Sequence, residues 1–363
     1  MKAIAVYPGK PQSVHIEELP VPDLHEKYDG RGVLVKVLSV GLCGADREIA
    51  AGKYGTAPVD EAYLILGHEN LGVVEAVGPN VEEFRPGDYV VATVRRPGLS
   101  RYDLLGAPDM TTDEAYYEHG ISRLHGFLCE YYTDVPEFLI SLPAALKDVG
   151  VLLEPLSIIE KGLDEVYHIQ ERLPLWRPRH AAVLGAASVG LLATLLLRLR
   201  GINVTTLAMP GTAALNRQLI ETVGGRCVDA DKMNTTRAST EYGPFDLIVE
   251  ATGDFALAFD AMEALAKNGV LLLCSVRGEG REITVPAHLI NHGFVLGNKV
   301  MLGTVTANRK HVEQGVRDMA LAELQYPGWL SRLITHRYRG FDEYNSAFDL
   351  SGKQDIKRVV DLV

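Results

Sequence analysis

Between His180 and Val276 the chain alternates strand-like and helix-like segments at short, regular spacing, and this rhythm limits its fold more than any other feature. His180-Ala-Ala-Val-Leu-Gly185 reads as a strand and Val189 to Arg200 as an apolar helix. Ile202 to Ala208 and Thr212 to Val223 repeat the pair, and Phe245 to Gly253, Phe255 to Lys267 and Gly269 to Val276 continue it. Strands alternating with helices return to the same sheet edge by crossovers, so this region predicts a parallel, doubly wound α/β sheet of the Rossmann kind. Earlier residues read differently. Val33 to Leu38, Leu71 to Gly78 and Phe84 to Val94 are short apolar stretches punctuated by Gly and Pro, which predicts a mainly antiparallel, barrel-like β domain. A helical pattern over 155–173 marks the change. From about 310 one more helix and a strand Val359–Val363 are expected to return to the first domain. The expected division is 1–155 completed by about 310–363, with 156–309 as the second domain.

Charge narrows the partners. The 363 residues carry a net charge of −11, and nucleic-acid binding wants a basic patch, so no nucleic-acid partner is expected. The N-terminal residues lack a basic stretch followed by an apolar one, so no signal peptide is expected. The longest apolar run, Val189 to Leu197, is too short to span a bilayer. These readings give a cytoplasmic protein without membrane association. Cys43, Cys129, Cys227 and Cys274 are scattered with no Cys-x-x-Cys pair, which argues against a disulfide framework and against a four-cysteine zinc site.

Gly185-Ala-Ala-Ser-Val-Gly190 follows a strand and opens a helix, the context a dinucleotide-binding turn requires. The first glycine permits the tight turn and the last permits close packing of the helix. The helix N-terminus then offers free N–H groups to a pyrophosphate. Gly185, Ala186, Ala187, Ser188, Val189 and Gly190 are therefore candidate cofactor residues. The second strand ends Thr206-Leu-Ala-Met-Pro210 without the acid that would hold the ribose of NAD, which leans toward NADP and leaves NAD open.

A metal reading rests on three separated places. Cys43 sits in Gly41-Leu-Cys-Gly-Ala-Asp46, His68 and Glu69 follow the apolar Tyr63-Leu-Ile-Leu66, and Glu154 lies at the change of rhythm. Thiolate, imidazole and carboxylate make a catalytic zinc shell when three ligands leave one position open. Taken singly, a lone Cys in an apolar stretch is more often a small buried hydrophobe.

Together with their surroundings these residues resemble the zinc-containing medium-chain alcohol dehydrogenase family. Gly67-His-Glu-Asn-Leu-Gly-Val-Val-Glu-Ala-Val-Gly78 is similar to that family's zinc signature, Cys43 stands 25 positions before His68, and Phe84-Arg-Pro-Gly-Asp-Tyr-Val90 and the Gly185–Gly190 turn follow in order. Within the family, Cys43-Gly-Ala-Asp-Arg-Glu48, Glu154-Pro-Leu-Ser-Ile-Ile-Glu-Lys161, Ala251-Thr-Gly253 and Ala307-Asn-Arg-Lys-His311 resemble the glucose 1-dehydrogenase-like members. The resemblance implies a GroES-like catalytic domain and a Rossmann domain, and a homodimer or homotetramer. It implies one zinc at Cys43 and His68, with Glu69 and Glu154 as ligands or near-ligands. It further implies cofactor contacts at Ala251, Thr252, Gly253, Ser275, Val276 and Thr304, and substrate contacts near Ala45, Glu118 and His119.

Departures shape the expected reaction. The stretch Arg95 to Asp109, where relatives often carry a structural zinc, has no cysteine, so one zinc per chain is expected. Ala45 stands where relatives have Ser or Thr to relay a proton, so water or a neighbouring acid must serve. Apolar Val94 and Ile158 argue against glucose itself. The leading expectation is hydride transfer between NAD(P) and a polyhydroxylated sugar, polyol or cyclitol, a small-molecule substrate. A zinc-dependent NADPH reductase of a C=N or C=C bond and a nucleotide-binding protein without catalysis are the alternatives.

Overall fold

In the computed structural model, which describes residues 1–24, 28–276, 282–349 and 355–363, the alternation after His180 becomes a six-stranded, wholly parallel sheet. Its spatial order is Arg226–Asp229, Asn203–Ala208, His180–Leu184, Phe245–Glu250, Leu265–Leu273 and Val300–Gly303. The chain starts near the middle and winds outward both ways, so the strand order reverses between His180–Leu184 and Phe245–Glu250. That reversal leaves a crevice at the carboxyl ends of these two strands. Ala181, Ala182, Val183, Ile248 and Val249 are fully buried, as expected of strands covered on both faces. The helix Ser188–Leu199 buries nearly its whole length, including Leu191, Leu192 and Leu195–Leu197. It ends at Gly201, whose φ of 75° reverses the chain.

The boundaries differ from expectation where pairing outweighs local preference. The helix begun at Phe255 stops at Ala264, because Leu265 is drawn into the sheet opposite Phe245 and Asn268 takes a left-handed turn at φ 63°. The following strand accordingly starts at Leu265 and ends at Leu273, leaving Ser275 and Val276 beyond it. The helix expected over 155–173 runs Leu153–Gln170.

Two compact units result: Met1–Ser157 with Thr306–Ala320 and Leu330–Val363, and Ile158–Val305 with Leu321–Trp329. Residues 321–329 thus belong to the sheet-bearing unit, held there by Trp329, which is buried and donates from Nε1 to the Leu219 carbonyl at 2.9 Å. In the first unit the long strand Val33–Leu42 pairs antiparallel with Glu69–Val77, Tyr131–Asp134 and Lys357–Asp361. Val33, Val35, Val37 and Val40 face a core shared with Ile4, Leu64, Leu66, Phe127 and Leu128. No helix among the described residues is long and apolar enough to cross a membrane.

The stretch after Arg95 holds together without thiols. Ser100 and Asp103 form a reciprocal cap on the short helix Arg101–Leu104, and Thr111 Oγ1 donates to Asp103 Oδ2 at 2.6 Å. Asp113 Oδ2 accepts the Leu99 and Ser100 amides at 2.8 and 3.0 Å. Hydrogen bonds to a charged acceptor are worth roughly 1.5–3 kcal/mol each. Asp113→Ala is therefore expected to speed amide exchange at Leu99 and Ser100 by about tenfold or more, with zinc content unchanged. Loss of metal in that variant would contradict a metal-independent segment.

Candidate active site

Three chain segments of the first unit meet around His68. The Cys43 thiol is the N-cap of the helix Gly44–Ala50, where Sγ accepts the Ala45 amide at 3.1 Å. The strand Glu69–Val77 begins immediately after His68, which brings the imidazole Nε2 to 3.1 Å from Cys43 Sγ. Glu154 arrives at the first turn of the helix Leu153–Gln170. Ligand atoms of Cys43, Asp46 and His68 lie within 4.8 Å of one another, and so do those of His68, Glu69 and Glu154.

Asp46 ties two of these segments together. It is fully buried, Oδ2 accepts the Cys43 amide at 2.9 Å, and Oδ1 accepts the Gly67 amide at 3.2 Å. The same Oδ1 stands 3.6 Å from His68 Nδ1, a buried ring nitrogen with no hydrogen bond among the described residues. A carboxylate behind the distal nitrogen of a ligating imidazole fixes the ring and its tautomer. The sequence pattern by itself gives Asp46 no role. Its position three residues after an N-capping Cys was the available signal.

Glu69 has a different neighbour. Both carboxylate oxygens accept from Lys357 Nζ, at 2.5 and 2.7 Å, and both side chains are almost wholly buried. Lys357 reaches it because Lys357–Asp361 runs beside Val33–Leu42, with Arg358 opposite Leu42. Removing one partner of a buried ion pair leaves the other charge uncompensated, at a cost of about 3–5 kcal/mol. Lys357→Met should lose that much stability in urea titration, and adding Glu69→Gln should recover most of it. A single variant as stable as wild type would remove the pair from the framework of the site.

The donor chemistry suits a zinc ion. Burial pushes the Cys43 thiol up, opposed chiefly by His68, so a thiolate here needs a cation beside it. Burial also pushes the Glu154 carboxyl up to about 7, with His68 pulling the other way. Soft sulfur, imidazole nitrogen and carboxylate oxygen are a zinc donor set.

The expected substrate residues fare unevenly. Ala45 lies beside Cys43 through its amide. Glu118 is buried, and its Oε1 accepts from Arg95 Nε and Nη2 at 2.9 and 2.7 Å, so its charge is already matched. His119 donates from Nδ1 to the His125 carbonyl at 2.6 Å and lies 4.7 Å from the Phe127 ring. Burial, helped by Arg96, holds its pKa well below the ordinary range, so the ring is neutral and Nε2 is an acceptor.

In the second unit, Gly185 adopts φ 101° and a Cβ there would meet Thr252 Cγ2 at 2.9 Å. A Cβ on Gly190 would stand 2.2 Å from the Gly185 carbonyl oxygen. These are the tight turn and the close helix approach that the sequence pattern called for. Ser188 opens the helix with its hydroxyl buried. The Ala251-Thr252-Gly253 loop leaves the neighbouring strand beside this turn, with the Ala251 amide bonded to the Leu184 carbonyl at 3.0 Å. Thr304 leaves the edge strand, its amide bonded to the Leu273 carbonyl at 3.0 Å.

Known proteins resemble this chain along its whole length. Residues 29–144 match the alcohol dehydrogenase GroES-like domain and residues 147–362 match the glucose dehydrogenase C-terminus. The glucose 1-dehydrogenase of Methanocella arvoryzae is 42% identical, covering 100% of this chain and 99% of its own. The chain belongs to the glucose dehydrogenase branch of the zinc-containing alcohol dehydrogenase family. Glucose 1-dehydrogenase 1 of Caldivirga maquilingensis is 41% identical over the same shares of the two chains. A structure of Haloferax mediterranei glucose dehydrogenase in complex with NADP, zinc and gluconolactone superposes with a TM-score of 0.90 at 34% identity, covering 100% of this chain and 99% of that one. Galactitol-1-phosphate dehydrogenase of Escherichia coli, at 21% identity and TM-score 0.81, shares the fold. Like its relatives, this family member is an NAD(P)-dependent dehydrogenase.

Proposed function

We propose that this family member is a zinc-dependent dehydrogenase that oxidises a polyhydroxylated aldose with NADP as the preferred hydride acceptor. The observation that carries the reading is the 3.1 Å approach of Cys43 Sγ and His68 Nε2 beside Glu154, in a chain alike from end to end to named glucose 1-dehydrogenases. Cys43, His68 and Glu154 would hold the zinc, with Asp46 orienting His68 and with Glu69 held by Lys357 as a neighbour. When bound, zinc supplies Lewis acidity that lowers the pKa of a substrate hydroxyl. The turn Gly185–Gly190, with Ala186, Ala187, Ser188 and Val189, offers backbone N–H groups to the dinucleotide pyrophosphate. Ala251, Thr252, Gly253, Ser275, Val276 and Thr304 line the remaining cofactor path in this reading. Absence of an acid at Ala208, the end of the second strand, removes the repulsion that a 2′-phosphate would meet there. Ala45 has no hydroxyl to relay the substrate proton, which leaves that transfer to water or a neighbouring acid.

Full-length likeness to glucose 1-dehydrogenases favours an aldose over the C=N or C=C reductase, and weighs against the doubt that Val94 and Ile158 cast on glucose itself. A set of aldoses, polyols and unsaturated carbonyl compounds, each with NADP and NAD, tests the reading. The expected result is aldose turnover to a lactone, faster with NADP. No aldose turnover by zinc-loaded protein with either dinucleotide would overturn it.

A homodimer or homotetramer fits the sheet-bearing unit. The apolar helix Ala287–Gly297 buries only Gly297, leaving Leu289, Val295 and Leu296 at least 60% exposed beside Met301 of the edge strand. An exposed apolar face of this kind suits a contact with a second copy of the chain. Cys43, Cys129, Cys227 and Cys274 form no disulfide among the described residues, which is in keeping with a reducing cytoplasm.

A further inference from the structure

Glu250 ends the central strand Phe245–Glu250 of the parallel sheet and is 2% exposed. No cation meets its carboxylate among the contacts of the described residues; three donors of the following loop do. Oε1 accepts the Thr252 amide at 2.6 Å and the Gly253 amide at 3.1 Å, and it also accepts the Thr252 hydroxyl. Oε2 takes a second, longer contact from the Gly253 amide at 3.2 Å. Thr252 in turn passes the constraint on: its hydroxyl oxygen accepts the Asp254 amide at 2.9 Å. Its methyl group is the atom nearest to the missing side chain of Gly185. The strand itself is fixed on both sides of Glu250, by the Ala251 amide to the Leu184 carbonyl and the Cys274 amide to the Glu250 carbonyl, each at 3.0 Å.

Burying a carboxylate is costly unless hydrogen bonds hold it, and three donors drawn from one three-residue turn can hold it only if that turn is rigid. The energy of this arrangement is therefore spent on the shape of residues 251–253. That turn packs directly on Gly185, the first residue of the dinucleotide-binding turn. From this geometry we infer that Glu250 is a positioning residue for the dinucleotide: it freezes Ala251-Thr252-Gly253 so that the loop and the Gly185–Gly190 turn present one preformed surface to the cofactor. The inference rests on the reading of that turn as the NADP site. A buried polar side chain steadies the first turn as well, since Asn216 Nδ2 donates to the Ala186 carbonyl at 2.6 Å.

A positioning role separates cofactor affinity from chemistry. Glu250→Gln keeps the volume and turns one oxygen into a donor that faces other donors. Thr252→Val keeps the methyl against Gly185 and removes only the hydroxyl. Zinc-loaded full-length variants are compared with wild type by NADPH titration followed by fluorescence, by steady-state kinetics, by zinc content and by thermal unfolding without cofactor. The expected result for Glu250→Gln is an NADPH Kd and an NADP KM raised about tenfold or more, with kcat at saturating NADP within about twofold and zinc content unchanged. Thr252→Val should raise Kd about threefold, without a change in unfolding temperature large enough to account for it. The inference is overturned if Glu250→Gln is folded and binds NADPH as wild type does. It is also overturned if kcat falls while Kd stays put, or if Thr252→Val binds NADPH normally while Glu250→Gln fails to fold. Wild-type protein that binds neither NADPH nor NADH would instead remove the proposed cofactor reading itself.

Discussion

Cys43→Ala should leave a folded protein with little bound zinc and with kcat/KM reduced by about a thousandfold or more. The size follows from what the metal contributes. Lewis-acid stabilisation of a developing alkoxide is worth several kcal/mol, and each 1.36 kcal/mol is a factor of ten in rate. Folding should survive because the thiol's structural contribution is small. Its Sγ accepts one amide, that of Ala45, and the capping Asp46 still holds the Cys43 position through the backbone amide. His68→Ala should behave alike. Asp46→Asn should be milder, weakening zinc by about 10–100-fold, since it acts through His68 rather than on the metal. Elemental analysis with parallel rate measurements checks the series. A Cys43→Ala protein that keeps both its zinc and its activity would refute the site, and two zincs per wild-type chain would refute the expectation of a single one.

Gly185→Val should cost the second-largest amount, and in a different currency. At φ 101° a β-branched residue is strained by about 1–3 kcal/mol, and its Cβ would press on Thr252 Cγ2 at 2.9 Å and on the Ala251 carbonyl oxygen at 3.3 Å. The neighbouring turn must move, and the backbone groups proposed to face the pyrophosphate move with it. Dinucleotide affinity is expected to fall by about a hundredfold, with a lower unfolding temperature for the sheet-bearing unit. Zinc content should stay at the wild-type value, because Cys43, His68 and Glu154 belong to the other unit. Unchanged NADPH affinity in Gly185→Val would separate the turn from cofactor binding. Opposite patterns in the two variants, metal lost with cofactor retained and the reverse, would assign the two halves of the chemistry to the two units.

What the sequence determined by itself is whatever depends on near neighbours along the chain. The strand–helix alternation after His180 is a local periodicity, and it becomes the six-stranded parallel sheet. The need for glycine at 185 and 190 is likewise local, set by one turn and one helix start. Cys43 and His68 could be singled out because their flanking residues form a recognisable pattern, and the fold brings them to 3.1 Å. Only the tertiary structure decided which buried charges meet. Glu69 is paired with Lys357, 288 positions away, because the last strand runs beside Val33–Leu42, and nothing near either residue specifies that pairing. Glu118 is matched by Arg95 across a two-residue strand pair. Asp46 comes to stand 3.6 Å behind His68 because its carboxylate accepts the Gly67 amide, which holds the helix cap against the segment that carries His68. Glu250 turns back on its own following loop, and its burial in the packed unit is what makes those bonds count. Periodicity is written in residues three or four apart, whereas the partner of a buried carboxylate is chosen by which strands become neighbours, and that is settled when the core packs.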